Sequence, residues 1–463
     1  MINLKSDKNQ KTNETRLVQI LFYTFPLWFI VGNFAVSLNT LLFIVVSLFV
    51  IQRKQLTFRF NNSYWFLIAF FLYFFISTAI QFLSPGLLNE AIQTRDHYKF
   101  LANNPIIKCL FLIRFLILIF VIDTLFFNKI LNLKKLFLSS LLCTCFVSFD
   151  IILQYTTGLD LFGFKSVPGW NSGPFGDEFI AGSYLKNFSF FSFFYIFDTL
   201  KSKNFNIPLL IFIIALHLIA ALLAGNRMPL LLFLFGCSLI ILLIRDLRFT
   251  ISLGLLIFLS ISFPIIEKDT YLKSRYVNAL NQINIIKYIK IIKDTSTKQD
   301  TKKELNKITD PSPKEINILR TSGHSGIYKT SIAMWKEQPL FGYGLKSFRL
   351  KCDEILDRSV DPDRHCSNHP HNYYLELLTE AGLIGTSLMV IFFIILLKDS
   401  FNYLKKYYQQ KNSEIILLIP VIISFFLEIW PLKSTGSFFT TWDATFFWLN
   451  TAMLIAAKAK KLP

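Results

Sequence analysis

Charge is what this sequence has least of. Lys, Arg, Asp and Glu make up 17% of its 463 residues, where a soluble globular domain carries about a quarter. That deficit argues against an ordinary soluble fold. Acids are scarcer still, 30 against 48 bases, for a net charge of +18. Such an excess can mark a nucleic-acid binder, but here the cations fall between apolar runs. Anionic membrane lipid is therefore the expected partner, and nucleic acid is not. Cysteine is sparse, with six residues. Cys109, Cys143, Cys145 and Cys237 sit inside apolar runs and read as small hydrophobes. Only Cys352 and Cys366 lie in polar sequence, where they pair if the compartment is oxidising and otherwise stay free. No small-residue cleavage site follows the polar, basic first sixteen residues, so the first apolar run is expected to be its own insertion signal. No internal repeat suggests an inverted-repeat transporter, and no HExxH zinc motif is present.

What is abundant is apolar bulk. Hydrophobic residues make up 53% of the chain, and phenylalanine alone fills 51 positions. A crossing needs about 20 apolar residues. Twelve candidate runs occur, at about 17–33, 35–51, 63–83, 106–127, 136–156, 187–200, 207–224, 228–244, 249–266, 382–397, 415–430 and 442–457. The expected fold is all-α, a polytopic membrane bundle of about 12 transmembrane helices. Alternate connectors that face inside, if the N-terminus does, hold 21 Lys and Arg, and the short outside connectors hold 6. The positive-inside rule then puts both termini in the cytoplasm. The chain divides into a nine-span region over 1–266, a large outer loop over 267–381 and a three-span region over 382–463.

The loop is longer than helix packing requires, which makes it the functional suspect. It carries four of the six histidines: His324, His365, His369 and His371. Val277, Leu280, Ile283, Ile286, Ile289 and Ile292 recur every three residues beside Lys287, Lys290 and Lys293. This predicts a basic amphipathic helix, lying either on the membrane surface or against the loop's own core. A second helix is expected over 326–337, ending before Pro339. Pro339-Leu340-Phe341-Gly342-Tyr343-Gly344 reads as a turn. Its GxG is no phosphate fingerprint, because no strand precedes it.

The densest polar string runs from Arg364 to Tyr374, with His365, Cys366, His369, His371 and Asn372. Three readings are open: a plain polar loop, a metal site, or acid–base work by one imidazole near neutral pH. Arg227 lies in a tight outside turn between two runs. It either snorkels to headgroups or holds an anionic phosphate in a fork. The topology puts it on the same face as His371. Arg275, Arg320 and Arg349 are further outside cations. Arg114, Asp123, Asp150, His217 and Glu428 fall within or near runs, and intramembrane ionisable groups are often functional.

His369-Pro370-His371-Asn372-Tyr373-Tyr374-Leu375-Glu376, followed by Glu380-Ala381-Gly382-Leu383-Ile384-Gly385, resembles the signature of the bacterial O-antigen ligase and polymerase superfamily. Pro339–Gly344 followed by Phe348, and Arg227 between two spans, are similar to that family's outer-face elements. The resemblance covers about 207–397 by motif and the whole chain by topology. It implies a GT-C-like inner-membrane glycosyltransferase with a large periplasmic loop, needing no metal and no other cofactor. Its donor would be a glycan on undecaprenyl diphosphate, and its acceptor lipid A–core. A polymerase of the same superfamily is the nearest alternative, and a lipid-linked glycan flippase or transporter comes from another class. By this resemblance His371 assists the acceptor hydroxyl and Arg227 binds the diphosphate. Asn372, Arg275, His324, Arg320, Arg349 and His369 are the candidate substrate contacts, and Cys352 with Cys366 the candidate disulfide. One departure stands out. The family commonly has an arginine before the helix leading into the Pro-x-x-Gly-x-Gly turn, and here that neighbourhood reads Ser322-Gly323-His324-Ser325-Gly326.

Overall fold

A computed structural model describes residues 13–83, 104–199, 206–282, 324–355, 364–410, 413–434 and 436–459. Among these residues the protein is all-helical, with only two isolated β-bridges, Leu159 with Lys165 and Val167 with Trp170. The helices are α1 Asn13–Tyr23, α2 Phe25–Val31, α3 Asn33–Arg53, α4 Ser63–Leu83, α5 Pro105–Phe127, α6 Leu133–Thr157, α7 Ala181–Thr199, α8 Asn206–Leu223, α9 Arg227–Leu243, α10 Arg248–Lys268 and α11 Thr270–Gln282. They continue as α12 Ser325–Glu337, α13 Ser347–Ile355, α14 Tyr373–Gln410, α15 Ser413–Ile416, α16 Ile419–Glu428 and α17 Thr441–Ala459.

Among the described residues six helices are long and apolar enough to cross a membrane: α3, α4, α5, α6, α10 with the turn before it, and α14. At 1.5 Å per residue, about twenty residues match the hydrocarbon thickness. Helices α8, α9 and α16 are apolar but shorter. Two of the expected continuous runs are broken. The first splits into α1 and α2 around Thr24, whose hydroxyl donates to Ile20 O (2.8 Å) and accepts from the Trp28 indole (3.0 Å). Pro26 opens α2, where its missing N–H is harmless. The eleventh run splits into α15 and α16 ahead of Pro420. The amphipathic helix expected over 277–292 is described only to Gln282, within α11, and the rest of it lies outside the described residues.

In lipid, apolar area alone gives helices no reason to associate, so shape and ring geometry must hold them. Phenylalanine supplies this. Phe137 of α6 stacks on Phe191 of α7 at 4.9 Å, and Phe29, Phe188 and Phe446 join α2, α7 and α17 edge to face. Trp448 is buried against Phe71 and Phe115. Other phenylalanines point outward, Phe34 being 82% exposed, as lipid contact requires. A separate small core of Ile327, Met334, Tyr343, Phe348 and Cys352 seats α12 and α13 beside α14.

Candidate active site

Two glycine motifs forty residues apart form one joint. Helix α14 kinks at Gly382, whose φ of 63° and ψ of −171° leave the helical region. The Pro339–Gly344 turn fills the gap. Tyr343 N donates to Thr379 O (2.9 Å), Gly344 N to Glu380 O (2.8 Å), Leu383 N to Pro339 O (2.8 Å) and Ile384 N to Leu340 O (3.2 Å). A Cβ on Gly382 would stand 2.3 Å from Leu340 O, and one on Gly342 2.5 Å from Gly382 N. Only glycine permits this approach. From α4, Tyr73 donates to Ala381 O and Ser77 to Phe341 O, both at 2.9 Å. The joint fixes the direction in which the first turns of α14 present the preceding loop.

That loop ends on His371 and Asn372. Asn372 caps α14, its Oδ1 accepting from Tyr374 N (3.0 Å) and Leu375 N (3.2 Å). Its Nδ2 donates to Pro431 O (2.8 Å) and Lys433 O (3.2 Å). All four hydrogen-bonding positions of the amide are thus occupied by backbone. His371 takes φ 55°, the left-handed region, which few residues other than glycine adopt. This turns its ring into a cluster of three imidazoles, stacked on His324 at 4.5 Å and tilted against His369 at 4.1 Å between centroids. Ser367 Oγ lies 3.2 Å from His371 Nε2. Burial, and then the neighbouring His324, push His371 down to about 4. His369 falls to about 3, by burial and then by the charges or rings of His371, Lys346, Arg349 and His324. His324 is lowered by burial and then by Arg227 and His365. At neutral pH the imidazoles are therefore uncharged, the state in which a ring can accept a proton.

Arg227 opens α9, directly after the turn at Gly225. A Cβ on Gly225 would sit 2.1 Å from Gly169 O, so the 158–180 loop lies tightly against the turn. Asn226 binds that segment too, donating to Phe179 O (3.0 Å). Arg275 of α11 lays its guanidinium over the Trp170 ring, 3.4 Å from the centroid, and Tyr276 donates to Leu222 O (2.8 Å). Burial, then the Arg227 charge, depresses the Arg275 guanidinium. Arg227 thus acts on Arg275 on one side and on His324 on the other. Among the described residues neither guanidinium has a hydrogen bond or an ion pair with a carboxylate. Two cations held near one another without a counter-ion among the described residues, next to neutral imidazoles, form a place for an anion.

The structure brings His371, His369, His324, Arg227 and Arg275 together. Arg349 joins them from the α13 side, within electrostatic reach of His369. Arg320 lies outside the described residues. Cys352 and Cys366 are bonded, with Cα atoms 5.7 Å apart. Among the described residues no group of three or more His, Cys, Asp or Glu could hold a metal ion. The ionisable groups within the runs have internal partners. Asp123 accepts from Tyr64 (2.8 Å), Asp150 from Leu161 N (2.8 Å), and Arg114 reaches Thr441 (3.4 Å). His217 stacks on Phe193 at 5.7 Å. Glu428 pairs with Lys186 of α7 and with Lys433, and Tyr373 bridges the Glu428 and Lys433 side chains. Lys433, Lys346, Ser367 and Trp170 escape a reading of the sequence. Lone residues of common type in connectors carry no spacing signal, and only the fold shows what they face.

Fold and site together define an all-helical, multi-pass membrane protein with a basic, histidine-lined site at one end of its bundle. Residues 210–390 match the family model described as O-antigen ligase. The match takes in Arg227, Arg275, His324, Arg349, His369 and His371. No curated protein matches the chain.

Proposed function

We propose that this protein is a metal-independent glycosyltransferase, an O-antigen ligase. It moves a glycan from undecaprenyl diphosphate to a sugar hydroxyl of lipid A–core, at the periplasmic face of the bacterial inner membrane. In this reading twelve crossings leave both termini in the cytoplasm, which the distribution of Lys and Arg supports. The observation that carries the proposal is the pair Arg227 and Arg275, without a carboxylate partner among the described residues, beside the His324 ring that stacks on the neutral imidazole of His371.

The chemistry follows from those groups. An alcohol is a weak nucleophile until a base takes its proton, and a neutral His371 is such a base. The freed oxygen attacks the anomeric carbon, and the bond from that carbon to the diphosphate breaks. The leaving diphosphate carries the electron pair, its charge held by guanidinium forks. The imidazolium then returns its proton to the departing phosphate or to water. Asn372 takes part by fixing the loop that carries His371. The lipid tail keeps the donor in the membrane and reduces the entropy of encounter.

The test is transfer in vitro by the purified full chain, with lipid-linked glycan, lipid A–core and EDTA. The expected product is glycosylated lipid A–core. Longer glycan on the carrier lipid, with none on the core, would make the protein a polymerase instead. Arrest by EDTA would remove the metal-free mechanism, and no transfer to either acceptor would end the transferase reading.

A further inference from the structure

The imidazole stack has cations at both ends, and only one end is needed for a diphosphate. Arg227 and Arg275 stand beyond His324. Arg349 and Lys346 act on His369, the ring on the other flank of His371. Helix α13 carries Arg349 and Cys352 one turn apart, so they share a face. The Cys352–Cys366 bond ties that face to the loop three residues before His369, and Phe348 and Cys352 are locked in the small core with α12. Arg349 is thus held beside the histidines by covalent and apolar contacts, none of which uses its guanidinium. Its Nε is shielded from water without a hydrogen-bond partner. Among the described residues the whole guanidinium makes no hydrogen bond or ion pair.

Lys346 is a second anomaly on the same side. It is buried, and its backbone sits at φ 62°, a conformation glycine would adopt without strain. Its Nζ lies 3.5 Å from Ser437 Oγ, which donates to Glu376. Glu376 and Glu380 of α14 face it, and Lys108 of α5 adds a further cation nearby. Glu380 acts on Arg349 as well, so two carboxyl groups are shared among three cations, Lys346, Lys108 and Arg349, and this side keeps a positive surplus. His369 Nε2 is likewise out of water and unpartnered. With three imidazoles in a row at steps of 4.5 and 4.1 Å, a diphosphate held at Arg227 leaves Arg349 unserved.

We propose that Arg349, seated by Lys346 and the Cys352–Cys366 bond, binds an anionic group of the acceptor glycolipid, a phosphoryl or carboxylate, on the side of His371 opposite Arg227. This rests on the glycan-transfer reading above. Donor and acceptor then approach the base from opposite ends of the stack, and Arg349 sets which acceptors are taken.

The experiment measures initial rates of the purified full chain in lipid nanodiscs. The donor is lipid-linked glycan, and the acceptor is lipid A–core in intact, phosphatase-treated and carboxyl-amidated forms. Arg349→Ala is expected to raise the acceptor KM about tenfold to a hundredfold, the loss of one contact to a charged group, with donor KM and kcat within about twofold. Arg349→Lys is expected to recover part of this. The wild type should show the same rise with whichever acceptor form has lost the bound anion, and Arg349→Ala should lose nothing more on that form. An unchanged melting temperature for Arg349→Ala is expected, since among the described residues the guanidinium has no hydrogen bond or ion pair to lose. A rise in donor KM instead, or no change in either KM, would overturn the assignment while leaving the transferase intact. A wild type that transfers nothing would remove both.

Discussion

An imidazole withdrawn from water resists protonation, and His371 is withdrawn further by the ring of His324 beside it. Its acid form is reached only near pH 4, against about 6.5 for a free histidine. The acid limb of kcat/KM is therefore expected well below pH 6, and a limb centred near 6.5 would separate the base from this imidazole. The stability consequence has a definite sign. Between about pH 6.5 and pH 4 the unfolded chain binds a proton on His371 that the folded protein does not, so stability rises with pH across that window and is lost on acidification. His371→Ala is expected to lower kcat by about 100- to 10,000-fold, the usual range for a general base, with the protein still inserted and folded. Arg227→Ala is expected to raise the donor KM, and Arg227→Lys to recover it only in part, because an ammonium cannot fork. Full recovery by lysine, read from the same kinetics, would reduce Arg227 to a point charge. The proximity of His371 and Arg227 was partly legible, in local strings that the expected topology puts on one face. Their neighbours were less so: His324 comes to the stack from 47 residues away, and nothing in its own Ser-Gly-His-Ser-Gly surroundings announces a ring partner.

Helices are placed here by small backbone devices. Both glycine motifs are visible in the sequence, and Pro339–Gly344 reads correctly as a turn. That this turn closes the kink at Gly382 is not visible, because the four bonds joining them run between backbone groups and constrain no residue type except the glycines. Gly382→Ala is expected to destabilise the protein by about 2 kcal/mol or more, since its Cβ would meet Leu340 O at 2.3 Å and a left-handed φ adds strain. Thermal unfolding in detergent checks this, and a wild-type midpoint would mean that α14 relaxes freely at the joint. Asn372 offers a milder case. Its loss removes a cap worth about 1 kcal/mol and also frees Pro431 O and Lys433 O. The residue motif drew attention to Asn372 as a substrate contact, whereas its amide is fully engaged in holding the loop. Of the twelve expected runs, six were legible by length and apolarity as helices able to cross a membrane among the described residues. The breaks at Thr24 and before Pro420 were not, because surrounding hydrophobics conceal a change of direction.

At the scale of the whole bundle the unusual feature is charge where no water reaches. Lys186 on α7, Glu428 at the end of α16 and Lys433 in the following connector are each at most 4% exposed in their side chains. They join elements otherwise held by rings. Sequence reading marked Glu428 as an ionisable group in an apolar run, but Lys433 counted only as one connector cation among several. The fold makes them one cluster, and Lys433 O is also an anchor for Asn372. Removing one member of a buried ion set leaves the others unpaired, which costs about 3–5 kcal/mol. Glu428→Ala is accordingly expected to lower the melting point strongly and to reduce transfer with it. The combined change Lys186→Met, Glu428→Met and Lys433→Met tests whether the charges serve stability or placement. Apolar replacements of a complete ion set are often neutral or stabilising, so the melting point is expected to recover. If the cluster holds the 431–433 backbone where Asn372 needs it, kcat stays low in this variant although the protein is stable again. Recovery of both together would show that any well-packed contact between these helices suffices, and that the ions have no part in positioning His371.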